Sequence, residues 1–241
     1  MFFLDPNYLC FMGPAFLLMA LTSWYVKSAF NKWNQVRARS GLTGAQAAQK
    51  LIQNAAYSVG NDASLRDVHV AGIGGSLSDN YDPRTKTLNL SPDVANNPSV
   101  ASIAVAAHEL GHALQDAEGY FPMRIRSALV PAVNIGSNLG WILILLGLIF
   151  NWVGVAWLGV WVFSAGALFA LATLPVELNA SARAKRLLVE SGIINGEEEQ
   201  GGVNTVLNAA ALTYVAGLLT AVLQLLYYVS LVGGLGGRRR S

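Results

Sequence analysis

Charged side chains are scarce in this sequence of 241 residues. Only 12% of the residues are Asp, Glu, Lys or Arg, whereas 53% are hydrophobic. Soluble domains carry roughly 25% charged residues, so this composition excludes an ordinary soluble domain and indicates a membrane protein. The formal net charge of +2 is also too small to indicate a nucleic-acid-binding protein.

Cysteine is nearly absent as well. Cys10 is the single cysteine, and one thiol can form neither an intramolecular disulfide nor a multi-cysteine metal site. We interpret Cys10 as a small apolar residue of a membrane helix. Histidine is almost as rare, with three residues in the chain.

The first apolar segment lacks the features of a cleaved signal peptide. No basic residue precedes it, and no small-x-small cleavage site follows it. Residues 6–26 carry no charge and reach the roughly 20 apolar residues that a helix needs to cross a bilayer. We therefore expect a retained transmembrane helix over residues 6–26.

A second uncharged stretch is longer than one crossing requires. Residues 127–176 are 50 consecutive positions without Asp, Glu, Lys or Arg. This length predicts two transmembrane helices, at residues 133–150 and 152–174, joined by a very tight turn at Asn151.

The last uncharged stretch covers residues 201–237. We expect an apolar helix at residues 204–233, transmembrane in part, preceded by another helix within residues 176–203. Lys and Arg residues cluster on one side of the first three spans, and the positive-inside rule assigns that side to the cytoplasm. Residues 27–132 would then form a cytoplasmic domain, and residues from 177 to about 203 would lie on the same side. The basic residues 238–240 contradict this topology if the last helix crosses completely, so the side of the tail stays open.

Short elements are expected within residues 27–132. Thr43 and Gln46 have the spacing of a capping box at the start of a helix. The segments DVHVAGIG and TKTLNLS favour two strands, and DPRTKT between them favours a turn, which predicts a hairpin. Asn97 and Pro98 are expected to cap and begin the next helix.

That next helix contains HELGH, residues 108–112. Positions i and i+4 of a helix lie on one face, so His108 and His112 can bind one metal ion. In this HExxH pattern the metal activates a water molecule, and Glu109 takes its proton as general base. Two buried histidines beside a glutamate would be costly in an apolar helix without a metal. The pattern therefore favours zinc over a purely structural cluster.

A catalytic zinc usually takes three protein ligands, and the third is not fixed by the motif. Gln115 and Glu118 stand where a metzincin would have glycine and histidine, so that continuation is absent. The uncharged residues 127–176 exclude a ligand carboxylate there. Glu177, the first charge beyond them, is the strongest candidate, and Glu118 is the second. Weaker candidates are Asp116, Glu190 and His69.

We expect the helix that carries Glu177 to begin after Pro175, where the third span would end. Ala180 and Ser181 are small and would allow this helix to pack closely on the HELGH helix. The alternative role of Glu177 is an exposed carboxylate that interacts favourably with the dipole of the new helix.

Several motifs in order resemble one family. They are SGLTGAQAAQKLI, LSDNYDPRTKTLNLS, VAAHELGHALQ, LPVELNASARA and AALTYVA. The chain resembles, over nearly its whole length, the YugP-type neutral zinc metallopeptidases of bacterial membranes, relatives of the HtpX-type peptidases. The resemblance implies that His108, His112 and Glu177 bind one Zn²⁺ per chain and that Glu109 is the catalytic base. It implies a multi-pass α-helical membrane protein with about four transmembrane helices and a small α+β zincin-like catalytic domain.

The resemblance also indicates where substrate binds. One strand would form the rim of the cleft and pair with an extended substrate backbone; its residues are Thr87, Leu88, Asn89 and Leu90. Peptide hydrolysis also needs a donor to the oxyanion, and we assign Tyr214 to this role. Ser181 stands where the HtpX-type relatives have aspartate. Asn179 and Asn80 depart from the YugP-type pattern, in which aspartate and histidine are usual at these places.

The sequence therefore predicts a gluzincin-like zinc endopeptidase of the cell membrane with its catalytic domain facing the cytoplasm. Its expected partners are the lipid bilayer and peptide or membrane-protein substrates, including damaged proteins, and not nucleic acid. One alternative is a catalytically silent membrane scaffold that holds a structural zinc. Another is a zinc hydrolase that acts on something other than peptides. A scaffold has no use for a base at Glu109.

Overall fold

The computed structural model describes residues 6–58 and 66–237. The residues 238–240, whose side of the membrane the sequence leaves open, lie outside this part. The elements, in chain order, are the helices α1 (Pro6–Asn34) and α2 (Gly44–Ser58), the strands β1 (His69–Gly72), β2 (Asn80–Asp82) and β3 (Thr87–Leu90), and the helices α3 (Pro92–Asn96), α4 (Val100–Ala117), α5 (Phe121–Ile149), α6 (Val153–Glu190) and α7 (Glu197–Gly237).

Four of these helices are long and apolar enough to cross a membrane: α1, α5, α6 and α7. Their number agrees with the four transmembrane helices that the sequence predicts. The turn between α5 and α6 is very short, and Asn151 within it adopts a φ of 54°. Asparagine tolerates this left-handed conformation better than most residues, which suits a reversal between two apolar helices.

The chain forms two compact units. Among the described residues, the apolar unit comprises residues 6–23, 122–175 and 213–237, and the site unit comprises the rest. In the apolar unit, glycines allow α5 and α6 to approach closely. A Cβ atom at Gly140 would lie 2.7 Å from the backbone nitrogen of Phe163, and one at Gly159 would lie 2.6 Å from that of Ile144. Small residues permit such contacts between membrane helices.

The site unit has its own hydrophobic core, which surrounds α4. Fully buried side chains from four elements meet there, among them Leu51, Leu88, Leu110 and Leu188. The start of α2 follows the prediction. The backbone nitrogen of Thr43 donates to Gln46 Oε1 at 3.0 Å, and that of Gln46 donates to Thr43 Oγ1 at 3.3 Å, which is the reciprocal capping box.

The three strands form one sheet with the order β1-β3-β2. β2 pairs antiparallel with β3, whereas β1 pairs parallel with β3. The predicted hairpin between DVHVAGIG and TKTLNLS is therefore wrong, because the hairpin partner of β3 is the three-residue strand β2. Asparagine and aspartate, the two outer residues of β2, are depleted in strands, so a strand was not expected there. The expected turn is present, and the backbone nitrogen of Arg84 donates to Asp82 Oδ1 at 2.9 Å.

The start of α4 also differs from the prediction. Its N-cap is Ser99, whose Oγ accepts from the backbone nitrogen of Ser102 at 3.1 Å. Asn97, the expected cap, instead donates its amide to Asn34 Oδ1 at 2.8 Å. Because the Asn97 side chain bonds to Asn34, Ser99 serves as the N-cap of α4.

Helix α6 continues through Pro175 to Glu190, so the prediction of a new helix after Pro175 is wrong. A proline removes one N–H bond, and a long apolar helix tolerates this loss when its other turns stay paired. The expected helix at residues 176–203 is divided between the end of α6 and the start of α7. Helix α5 begins at Phe121, well before the expected end of the catalytic domain at residue 132.

Candidate metal centre

Helix α4 carries two histidines one turn apart inside the core of the site unit. The rings of His108 and His112 lie edge to face with their centroids 4.9 Å apart. Their exposed fractions are 9% and 8%. Most other residues of α4 are buried as well, because its alanines let neighbouring elements approach on all sides. The i and i+4 spacing thus places both imidazoles in one enclosed space.

Helix α6 brings Glu177 into the same space. Its Oε2 atom lies 3.2 Å from His108 Nε2 and 3.4 Å from His112 Nε2. The residue is 2% exposed. The three possible ligand atoms lie within 4.8 Å of one another. Two imidazoles and a carboxylate are a donor set that suits zinc, so these residues fit a metal ion.

The two helices can meet here because Gly111 has no side chain. A Cβ atom at Gly111 would lie 2.5 Å from the backbone oxygen of Ala180, and Ala180 is itself completely buried. The small residues expected on the Glu177 helix therefore do pack against HELGH. The matching small residue within HELGH is Gly111, to which the HExxH pattern assigns no role.

The charges of the centre support one another. Burial by itself would raise the pKa of Glu177, but hydrogen bonds from His108 and His112 outweigh it and hold this pKa well below its ordinary value. Burial would lower the pKa of His112, yet the hydrogen bond and charge of Glu177 raise it. Glu177 is therefore an anion that favours positive charge beside it, which is what a cation site requires.

Glu109 is also buried, with 8% of its surface exposed. Burial raises the pKa of its carboxyl, and the neighbouring histidines His108 and His112 oppose this rise only in part. A carboxylate with a raised pKa holds a proton more readily than an ordinary glutamate. Glu109 thus has the chemistry of a proton acceptor next to the centre.

Each histidine also has a partner at its other ring nitrogen. His108 Nδ1 lies 3.2 Å from Ser181 Oγ, and His112 Nδ1 lies 3.0 Å from Gln115 Oε1. Ser181, where the resemblance described above led us to expect aspartate, contacts His108 directly through its hydroxyl. Sequence reasoning missed Gln115 as part of the centre, although its position three residues after His112 placed it on the same helix face.

The other candidates for a third ligand do not belong to the group formed by His108, His112 and Glu177. Glu118 accepts two hydrogen bonds from Arg183, at 2.6 and 2.7 Å. Asp116 Oδ2 accepts from Tyr81 at 2.9 Å. Glu190 Oε1 lies 3.9 Å from Arg186 Nε, and His69 is exposed on β1. Of the five candidates, the structure brings only Glu177 beside both histidines of HELGH.

The strand expected to bind substrate lies in the middle of the sheet. All four of its residues pair with β1, and three of them also pair with β2; they are Thr87, Leu88, Asn89 and Leu90. A strand that is paired on both sides cannot add a peptide strand. The prediction of strand addition at these residues is therefore wrong, because the sequence did not reveal β2.

The two asparagines singled out from the sequence also have defined contacts. Asn179 Oδ1 accepts from Gln115 and from Arg183, so Asn179 lies beside the centre. Asn80 Oδ1 accepts from the amide of Asn89 at 3.0 Å and belongs to the sheet. Tyr214 lies in α7 within the apolar unit, and its oxyanion role stays a prediction.

Four apolar helices and a buried group of two histidines and a glutamate are the features expected of a membrane metallopeptidase. The chain belongs to the family described as "Putative neutral zinc metallopeptidase", whose profile matches residues 8–233. It is similar to "Putative membrane protease YugP" of Bacillus subtilis (strain 168), with 43% identity over 204 residues, which is 85% of this chain and 87% of that protein. No solved structure matches the chain. These matches confirm the resemblance to YugP-type neutral zinc metallopeptidases that its motifs indicated.

Proposed function

We propose that this protein is an integral-membrane zinc endopeptidase. The observation that carries the proposal is the convergence of three buried groups, His108, His112 and Glu177, from two helices on one point. Without a cation, this arrangement would confine an anionic carboxylate and two imidazoles in an apolar core at considerable cost. Family membership supports zinc as that cation, and the three groups would hold one Zn²⁺ per chain.

Zinc at this site would supply Lewis acidity, which polarises a peptide carbonyl and increases the acidity of water. Glu109 then acts as general base. It takes one proton from water as the water oxygen bonds to the carbonyl carbon, and it delivers that proton to the leaving amine nitrogen as the C–N bond breaks. The products are a carboxylic acid and an amine. The raised pKa of Glu109 suits a group that holds this proton between the two steps.

We also propose that the protein lies in the cell membrane with the site unit facing the cytoplasm. The basic residues beside the apolar helices support this orientation. Substrates would then be peptides and membrane proteins, including damaged ones, which corresponds to a role in membrane-protein quality control. The name of the relative supports the protease assignment.

The proposal is tested by zinc analysis of the detergent-purified protein. We expect one zinc per wild-type chain and loss of zinc in Glu177→Gln. Glu118→Gln, which changes the second-ranked candidate ligand, should keep one zinc. Glu190→Gln is a matched control, because Glu190 lies on the same helix and is exposed in an ion pair with Arg186. A wild-type chain that binds no zinc after loading would reject the enzyme assignment.

A further inference from the structure

Gln115 is a polar side chain with no exposed surface, in the last turn of α4. A buried amide is costly unless its hydrogen bonds are made. Its oxygen lies 3.0 Å from His112 Nδ1. Its nitrogen lies 2.8 Å from the backbone oxygen of Val176 and 2.9 Å from Asn179 Oδ1. Gln115 thus contacts one histidine of the centre and the residue that precedes Glu177.

The orientation of this amide follows from the chemistry of its partners. Oxygen and nitrogen of a glutamine amide must be assigned from their hydrogen bonds. The Val176 carbonyl can only accept, so it requires the amide nitrogen of Gln115. Asn179 gives the same answer, since its Oδ1 accepts from Arg183 Nε at 2.7 Å, and a guanidinium is a donor only. Two independent partners therefore place the Gln115 nitrogen towards α6.

The orientation of Gln115 in turn determines which ring nitrogen of His112 must carry a hydrogen. The oxygen of Gln115 faces His112 Nδ1 and can only accept, so Nδ1 must carry a hydrogen. Nε2 is then the ring nitrogen left for a cation, and in its absence a second ring hydrogen there meets Glu177 Oε2, 3.4 Å away. A histidine that binds a metal through one nitrogen typically donates from the other to a fixed partner.

We propose that Gln115 is a positioning residue of the metal centre. It accepts the hydrogen of His112 Nδ1 and ties that ring to the backbone of α6 next to Glu177. One side chain thereby fixes a ligand from each helix relative to the other, with Nε2 of His112 directed to the metal. The inference rests on the proposed role of His112 and Glu177 as zinc ligands.

Two substitutions separate positioning from packing. Gln115→Met keeps the approximate shape of the side chain and loses every hydrogen bond. Gln115→Glu keeps an acceptor for His112 Nδ1 but loses the donor to Val176. If Gln115 only contributed to packing, both variants should change the His112 Nδ1 signal and the zinc affinity to the same extent. The proposed positioning predicts that Gln115→Met loses the contact with His112, whereas Gln115→Glu keeps that contact and loses only the bonds to α6. Gln53→Met is the matched control, because Gln53 is exposed on α2.

The first measurement is nitrogen–proton NMR of protein with isotope-labelled histidine. It is recorded with and without zinc near neutral pH, where the histidines can bind the metal. The chain has three histidines, so single substitutions assign each signal. We expect a solvent-protected Nδ1 hydrogen on His112 in the wild type, in Gln53→Met and in Gln115→Glu, and its loss in Gln115→Met. A wild-type spectrum without this signal, or an unchanged Gln115→Met spectrum, would overturn the inference.

The second measurement is zinc affinity by competition with a chelator. Loss of a partner to a ligand histidine typically lowers metal affinity by roughly 10- to 100-fold. We expect this decrease in Gln115→Met, a smaller one in Gln115→Glu, which loses only the bonds to α6, and none in Gln53→Met. Equal affinity of Gln115→Met and a zinc-binding wild type would refute positioning. A wild type that binds no zinc would instead refute the proposed function, and the metal-free spectra would still decide whether Gln115 holds His112.

Discussion

At the scale of single residues, Glu109 and Glu177 show how differently the same carboxylate can be used. Both are buried, yet the pKa of Glu177 is lowered by hydrogen bonds from the two histidines, whereas the pKa of Glu109 is raised by burial. The environments of the two carboxyl groups thus shift their pKa values in opposite directions. Glu177 stays an anion that can bind a cation, and Glu109 is suited to accept a proton.

This difference leads to a prediction for Glu109→Gln. The variant should retain one zinc per chain, because Glu109 is not in the converging group, and it should lose peptidase activity by roughly 100- to 10,000-fold, as expected for a missing general base. The measurement pairs zinc content with cleavage of an unfolded protein substrate in detergent. Glu198→Gln, an exposed carboxylate on α7, serves as the control. Unchanged cleavage by Glu109→Gln would mean that another group acts as the base, whereas no cleavage by the wild type would favour the scaffold.

The sequence identified His108, Glu109 and His112 because their spacing is local and has a helical meaning. It ranked Glu177 first because Glu177 is the first charge beyond residues 127–176 and is followed by small residues that allow close packing, and the family resemblance implied the same ligand. The spacing of Gln115 from His112 is local, but its contacts with Val176 and Asn179 are not, since these residues lie more than sixty positions away in the chain. A hydrogen bond across such a separation depends on how two helices pack.

At the scale of elements, the approach of α4 to α6 controls whether the three groups meet. We predict that Gly111→Ala lowers stability and zinc content together. The added methyl would overlap the Ala180 backbone, and overpacking costs about 1–3 kcal/mol. This cost exceeds the gain of up to about 1 kcal/mol from replacing glycine in a helix. Thermal unfolding in detergent and zinc analysis provide the measurements.

The control for this change is Gly201→Ala. Gly201 is a helical residue of α7, and a Cβ atom there would have no atom within 4 Å. The same substitution should therefore be neutral or stabilising and leave zinc content unchanged. If Gly111→Ala behaved like Gly201→Ala, close contact at Ala180 would not limit the assembly of the centre.

A second contact between these helices depends on pH. Arg183 binds Glu118 through two hydrogen bonds, and they lower the pKa of Glu118 from its ordinary value of 4.5. A lowered pKa in the folded protein means that stabilisation is present above pH 4.5 and is lost as the pH falls through the folded value. Because Glu118 is partly exposed, the effect should be small, about 0.2–1 kcal/mol.

We therefore expect wild type to unfold at a higher temperature than Glu118→Gln near neutral pH. The difference should close as the pH falls below the ordinary glutamate value. Melting curves of both proteins over a series of pH values measure it. A difference that persists unchanged in acid would mean that the ion pair is not its source.

At the scale of the whole molecule, composition indicates a membrane protein, and the four apolar helices of the structure agree with it. The exposed side chains of these helices are largely hydrophobic, including Phe16, Leu17, Trp161 and Leu171. Lipid is the environment in which such surfaces are stable. Orientation, in contrast, rests on the distribution of basic residues, and it can be measured.

We predict that Glu198→Cys reacts with a membrane-impermeant thiol reagent only after cells are permeabilised, whereas Trp152→Cys reacts in intact cells. Glu198 is 71% exposed in the site unit, and Trp152 is 59% exposed at the turn between α5 and α6. The background is Cys10→Ser, which removes the single native cysteine. The reverse labelling pattern would place the site unit outside the cytoplasm.

The sequence by itself determined the four apolar helices, the capping box at Thr43 and the pair of histidines with Glu109. Each is a local pattern whose physical meaning is contained in one helix. Tertiary structure decided the sheet order, the passage of α6 through Pro175, the close contact at Gly111 and the link through Gln115. These features join segments far apart in the chain. Their energies come from packing and hydrogen bonds between elements, which no local spacing encodes.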